Sequence, residues 1–78
     1  METDLEHRIR QVMADILHLE PARIDRSTSI DTVERWDSAN HINLVLALEE
    51  EFGIAFDVSE IEAMLSFPDI MQRVAAKV

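Results

Sequence analysis

The sequence predicts an all-α domain, a small up-and-down four-helix bundle with a short third helix and a long first loop. Three observations predict it. Apolar residues recur at three- and four-residue steps in separate stretches, which is the helical period. Helix-capping signatures stand at the heads of those stretches. The one weakly alternating segment, Ile54-Ala55-Phe56-Asp57-Val58, could not form a sheet alone and is expected to be a loop. The 78 residues suit one domain, 1–78, with a modest core and no disulfides.

The first helix is expected to start at Thr3, because Thr3-Asp4-Leu5-Glu6 is a capping box whose Thr and Glu side chains satisfy each other's free backbone donors. Leu5, Ile9, Val12, Ile16 and Leu19 then form its apolar stripe, and Pro21 ends or interrupts it. From Pro21 to Asp37 the chain is rich in Ser, Thr, Asp and Arg, with Ile24, Ile30 and Val33 as apolar anchors. A loop of this length is usually functional or partly helical. The second helix is predicted over about Asp37 to Phe52, capped by Asp37 or Ser38. Gly53 closes it in a left-handed turn, with Ile54 packing back. At roughly 100° per residue, Leu44, Val45, Leu48 and Phe52 share the core arc, while Ala39, Asn43, Leu46, Ala47 and Glu50 lie opposite. Ser59-Glu60-Ile61-Glu62 reads as a second capping box, opening a short helix to about Leu65. The last helix is expected from Ser66, with Pro68 in its first turn and a Leu65–Ile70 staple. Ile70, Val74 and Val78 form its inner stripe.

Sixteen acidic against seven basic residues give a net charge of −9, which repels nucleic acid and anionic membranes and favours cationic protein partners. Because hydrophobic residues make up 47% of the chain and fall in helical register, the acidity marks a folded domain and not disorder. With no cysteine there is no disulfide framework, thiolate nucleophile or cysteine metal site. No run approaches the ~18 apolar residues of a membrane span, and no basic-then-apolar leader opens the chain, so a cytoplasmic, monomeric protein is expected. A domain this small does not surround an ordinary substrate pocket, and an enzyme is not expected.

The candidate functional atom is the hydroxyl of Ser38, in Trp36-Asp37-Ser38-Ala39-Asn40-His41-Ile42. A helix N-terminus carries free N–H groups and partial positive charge, which suit a covalently attached phosphate. Taken alone, Asp37 and Ser38 read as capping residues. Trp36 reads as a loop anchor, and His41, near the inner arc, as a packed or locally hydrogen-bonded residue. His7 and His18 belong to no constellation, no metal site is expected, and Met13, Met64 and Met71 read as core filler. Glu49-Glu50-Glu51 sits unfavourably at the negative end of the helix, which asks for a compensating role such as partner recognition.

The order of elements, with Asp37-Ser38 followed by Ile42 and by Leu44-Val45-Leu46-Ala47-Leu48-Glu49-Glu50-Glu51-Phe52-Gly53-Ile54, resembles the acyl carrier protein family over nearly the whole chain. The resemblance implies that Ser38 carries 4′-phosphopantetheine, derived from coenzyme A, through a phosphodiester. Asp37 would cap the helix and help present the serine to a phosphopantetheinyl transferase. It implies a freestanding carrier without catalysis of its own, holding an acyl group as a thioester for separate acyl-loading and acyl-transferring enzymes. Ala39, Asn43, Leu46, Ala47 and Glu50 would form the stripe on which basic client patches dock. Many relatives have Gly and Leu where this chain has Trp36 and Ala39, which points towards a specialised pathway. Two other readings stay open at this level: an aminoacyl or peptidyl carrier, and an interaction module whose Ser38 is never modified.

Overall fold

The computed structural model describes residues 4–78, in which four helices follow one another: α1 (Asp4–Leu17), α2 (Ser38–Phe52), α3 (Val58–Ala63) and α4 (Phe67–Ala75). A 3-10 turn, Pro21–Arg23, lies in the long first loop. Among the described residues the only β pairing is an isolated bridge, Ser29 to Ser66, so the all-α expectation holds. The capping role expected of Thr3 lies outside the described residues.

α1 packs against both α2 and α4, and this sets which arc it buries. Ile9, Met13 and Leu17 are fully buried and Ala14 nearly so, whereas Leu5, Val12, Ile16 and Leu19 are half-buried at the margin. The buried arc is thus turned by about a quarter revolution from the predicted stripe. The second neighbour lies on this side: the Arg10 guanidinium is 5.3 Å from the centre of the Phe67 ring of α4. An arginine does not count as apolar in a sequence pattern, although its stem is apolar.

The end of α1 is also earlier than expected. His18 takes a left-handed φ of 55°, and the Leu19 N–H donates to the Ala14 carbonyl at 3.0 Å. This six-to-one bond closes the helix at Leu17, four residues ahead of the Pro21 that was expected to end or interrupt it. Gly53 (φ 64°) and the Ile54 N–H to Glu49 carbonyl bond, 3.1 Å, do the same for α2. There the predicted boundaries and C-cap match.

At the other two helices the boundaries move. The N-cap of α3 is Asp57 in place of Ser59: its carboxylate accepts the Glu60 N–H at 2.8 Å, and the Glu60 carboxylate accepts the Asp57 N–H at 3.2 Å. Starting two residues earlier puts buried Phe56 and half-buried Ile61 at the staple positions flanking the first turn, and the helix is spent at Ala63, not Leu65. α4 begins as predicted, with the Ser66 hydroxyl accepting the Asp69 N–H at 3.2 Å and Pro68 in the first turn. Leu65, however, remains exposed, so the apolar anchor at this corner is Phe67 and not the expected Leu65–Ile70 staple. Val78 lies beyond the end of α4 and is exposed, which removes it from the inner stripe; Ile70 and Val74 keep their places.

The long loop is a fixed element. Its buried anchors are Ile24, Thr28 and Trp36. The Ile30 N–H donates to the Leu65 carbonyl and the Phe67 N–H to the Thr28 carbonyl, both at 2.9 Å, which ties the loop to the junction of α3 and α4. Inside the loop, hydrogen bonds from the Ser27 hydroxyl and backbone N–H hold the Asp25 carboxyl below its ordinary pKa of 3.8. The loop therefore delivers Trp36 to the core at the foot of α2, and burial of a ring that large is worth about 3–5 kcal/mol against truncation to alanine.

Candidate functional site

Ser38 occupies the first position of α2 and is exposed. Asp37, extended at φ −102° and ψ −175°, is the N-cap: its carboxylate accepts the Asn40 N–H at 2.9 Å and its carbonyl accepts the His41 N–H at 2.8 Å. Of the two capping candidates the chain uses Asp37, which leaves the Ser38 hydroxyl uncommitted. Asn40 completes the turn from outside, donating its side-chain N–H to the Arg35 carbonyl at 2.7 Å. The sequence did not single out Asn40, although the third residue after an N-cap is the usual place for a side chain that braces the turn.

On the inner side, Trp36 is 2% exposed and His41 is 9% exposed. The Trp36 Nε1–H donates to His41 Nδ1 at 2.9 Å, and His41 Nε2 lies 2.8 Å from the Ile61 carbonyl of α3. The expected packing and local hydrogen bonding of His41, and the anchoring of Trp36, are both present. The bond to α3 reaches across 20 residues and has no signal in the sequence.

Along α2, Ala39, Asn43, Leu46 and Glu50 are exposed and Ala47 is half-buried, so the predicted stripe faces outward. Asn43, Leu46, Ala47 and Glu50 also border a shallow groove against α1, joined there by Asp15 and Ile16; Ala39 lies outside that groove. Ile42 is a residue the pattern missed. It is 50% exposed, beside Leu46 at 57%, and stands one helical turn below Ser38, where the four-residue step marks it as a neighbour.

The three glutamates at the end of α2 have different fates. The Glu49 carboxylate accepts the Phe56 N–H at 2.8 Å, and Glu51 pairs with Arg8 at 2.9 Å, with Arg8 lying over the Phe52 ring. Glu50 makes no ion pair with the described residues, so the compensating role anticipated for all three is open for Glu50 alone. Among the described residues no group of three His, Asp or Glu side chains is placed to hold a metal ion, and no helix is long and apolar enough to cross a membrane.

An exposed hydroxyl thus stands at a capped helix start, with an outward acidic-apolar stripe on the same helix. A family model described as "Phosphopantetheine attachment site" matches residues 7–74. The chain is 26% identical over 77 residues to a protein named "Acyl carrier protein" from Thermosynechococcus vestitus, covering 99% of this chain and 95% of that one. The chain belongs to the phosphopantetheine-binding acyl carrier family: its cofactor is covalently attached 4′-phosphopantetheine, it is a carrier and not an enzyme, and it works with a phosphopantetheinyl transferase and biosynthetic enzymes.

The N-terminal turn of α2 fits that cofactor. Asp37 takes the Asn40 and His41 amides, while those of Ser38 and Ala39, at the head of the helix, contribute to the positive end of its dipole. A phosphodiester on the first residue would meet these donors and no buried wall, since Ser38 and Ala39 are both exposed.

Proposed function

We propose that the Ser38 hydroxyl is the attachment point and that the chain carries an acyl group there for separate enzymes. The single observation that supports it most is the uncommitted, exposed Ser38 hydroxyl at the head of a 15-residue helix whose cap is supplied by its neighbour Asp37. When bound, the prosthetic group supplies a flexible arm ending in a thiol, the nucleophile that a chain without cysteine lacks, and holds cargo as a thioester. The residues of the chain do simpler work. Asp37 fixes the helix start, the Ser38 and Ala39 amides favour the phosphodiester charge, and the stripe Ala39, Asn43, Leu46, Ala47 and Glu50 receives client enzymes.

Basic patches on those clients suit the unpaired Glu50 and the net charge of −9. The departures at Trp36 and Ala39 favour clients of a specialised biosynthetic pathway. Incubating the chain with coenzyme A and a broad-specificity phosphopantetheinyl transferase, followed by intact-protein mass spectrometry, tests the attachment. The expected result is one added phosphopantetheine in the wild-type chain and none in Ser38→Ala. Addition that persists in Ser38→Ala, or none to the wild type by several transferases, overturns it.

A further inference from the structure

His41 is a buried titratable side chain with both ring nitrogens engaged, and nothing in the carrier chemistry uses it. An indole N–H can only donate, so His41 Nδ1, 2.9 Å from Trp36 Nε1, must present its lone pair. The ring proton therefore sits on Nε2, which donates to the Ile61 carbonyl at 2.8 Å. The rings of Trp36 and His41 also stack, with centroids 6.1 Å apart and planes 25° from parallel.

The placement of these partners is what carries a role. Trp36 and His41 bracket Asp37 and Ser38 in the chain, one on the loop side and one on the helix side. Ile61 stands in the last turn of α3, whose carbonyls lack full helical partners: its own intrahelical bond, from the Met64 N–H, is a long 3.4 Å. His41 thus supplies a good donor to a carbonyl the six-residue α3 satisfies poorly, and through Trp36 it ties that helix to the turn bearing Ser38. On the outer side the Asn40 to Arg35 bond braces the same turn.

We propose that His41 is a positioning residue for Ser38: as the neutral Nε2–H tautomer it links Trp36 to the Ile61 carbonyl and so fixes the attachment turn against α3. The proposal rests on Ser38 being the attachment point. Its role differs from that of the outward stripe, because His41 lies on the buried arc of α2 and cannot touch a docked enzyme. Loss of the link leaves docking intact and spoils the presentation of the hydroxyl, which lowers kcat of the transferase and leaves KM in place.

Three substitutions test it in the full chain. His41→Leu removes both bonds. His41→Gln keeps one neutral acceptor and one donor at comparable spacing. Trp36→Phe keeps a buried aromatic ring but removes the N–H together with part of the indole, and serves if His41→Leu does not fold. With coenzyme A and a transferase, kcat for modification of Ser38 is expected to fall about tenfold in His41→Leu or Trp36→Phe, with KM within about twofold, and to recover to within about threefold of wild type in His41→Gln.

The kcat-against-KM split with rescue by His41→Gln separates positioning from a purely structural role, and nuclear magnetic resonance reports whether the link itself exists. The single indole N–H signal should be protected from exchange in the wild type and in His41→Gln, and the imidazole nitrogen shifts should show protonated Nε2 and bare Nδ1. Equal kcat in all chains, a change confined to KM, or a proton on Nδ1 overturns the proposal and leaves the attachment reading intact. A wild-type chain that accepts no phosphopantetheine overturns the attachment reading itself, while the indole and imidazole signals still decide whether the link exists.

Discussion

Ala39 follows the serine directly, and placing a leucine there should make the carrier a better substrate. Ala39 is exposed on the outward arc of α2, with Asn43 one turn below it. An Ala39→Leu side chain therefore projects into solvent and displaces nothing in the free protein. Helix propensity changes little between Ala and Leu. The gain belongs to the complex. Three added carbons, worth about 0.8 kcal/mol each when fully buried and about half that when covered on one side, bring about 1–2 kcal/mol to an interface. If the contact forms before or at the transition state, kcat/KM for phosphopantetheine transfer rises about five- to thirtyfold. The assay is steady-state transfer from a fluorescent coenzyme A conjugate, with urea unfolding run on both chains. An unchanged kcat/KM at equal stability would refute the reasoning, since it would mean that no partner surface covers the residue after the serine.

Glu50→Lys should slow acyl transfer to or from a client about three- to tenfold at low ionic strength, with the difference shrinking as salt screens it. A lysine in the last turn of α2 suits the helix dipole better than a glutamate, so helical circular dichroism should hold, and an unaltered client rate would reject the stripe. His18→Gly should stabilise the fold. A side chain at φ 55° costs roughly 1–2 kcal/mol, partly offset by the greater unfolded-state freedom of glycine. The net gain of about 0.5–1 kcal/mol appears as a rise of about 2–8 °C in Tm by calorimetry, and a fall would show that the His18 ring contributes contacts that outweigh its backbone strain.

What was legible in the sequence divides along physical lines. α2 was readable because its signals are local and agree: an acidic cap, a single apolar arc, and a glycine where a left-handed residue is needed. The end of α1 was not, because His18 performs at that C-terminus the task that Gly53 performs at α2, and histidine is a far weaker signal of a left-handed turn than glycine. The buried arc of α1 was displaced because two apolar stripes overlap on that helix: the pattern followed Val12, Ile16 and Leu19, whereas packing against both α2 and α4 buries Met13 and Leu17. At α3 two overlapping capping boxes competed, and the choice of Asp57 over Ser59 follows from Phe56, whose burial fixes where the chain turns into the helix.

The same division runs through the site. Ser38, Asp37 and the outward stripe depend on helix register alone, so their placement followed once α2 was framed correctly. His41 is different. Its place on the inner arc was visible, but its function depends on which atoms meet it from an α3 carbonyl 20 residues away and from an indole held in place by a loop that is itself pinned at the α3–α4 junction. Trp36, one of the two departures from the family pattern, thus has a use: its N–H sets the His41 tautomer, and that tautomer directs the second N–H to α3. A glycine before Asp37 could supply no such donor. In such a chain the imidazole could adopt either tautomer, and the turn bearing the serine would rest on the Asp37 cap and the Asn40 brace alone.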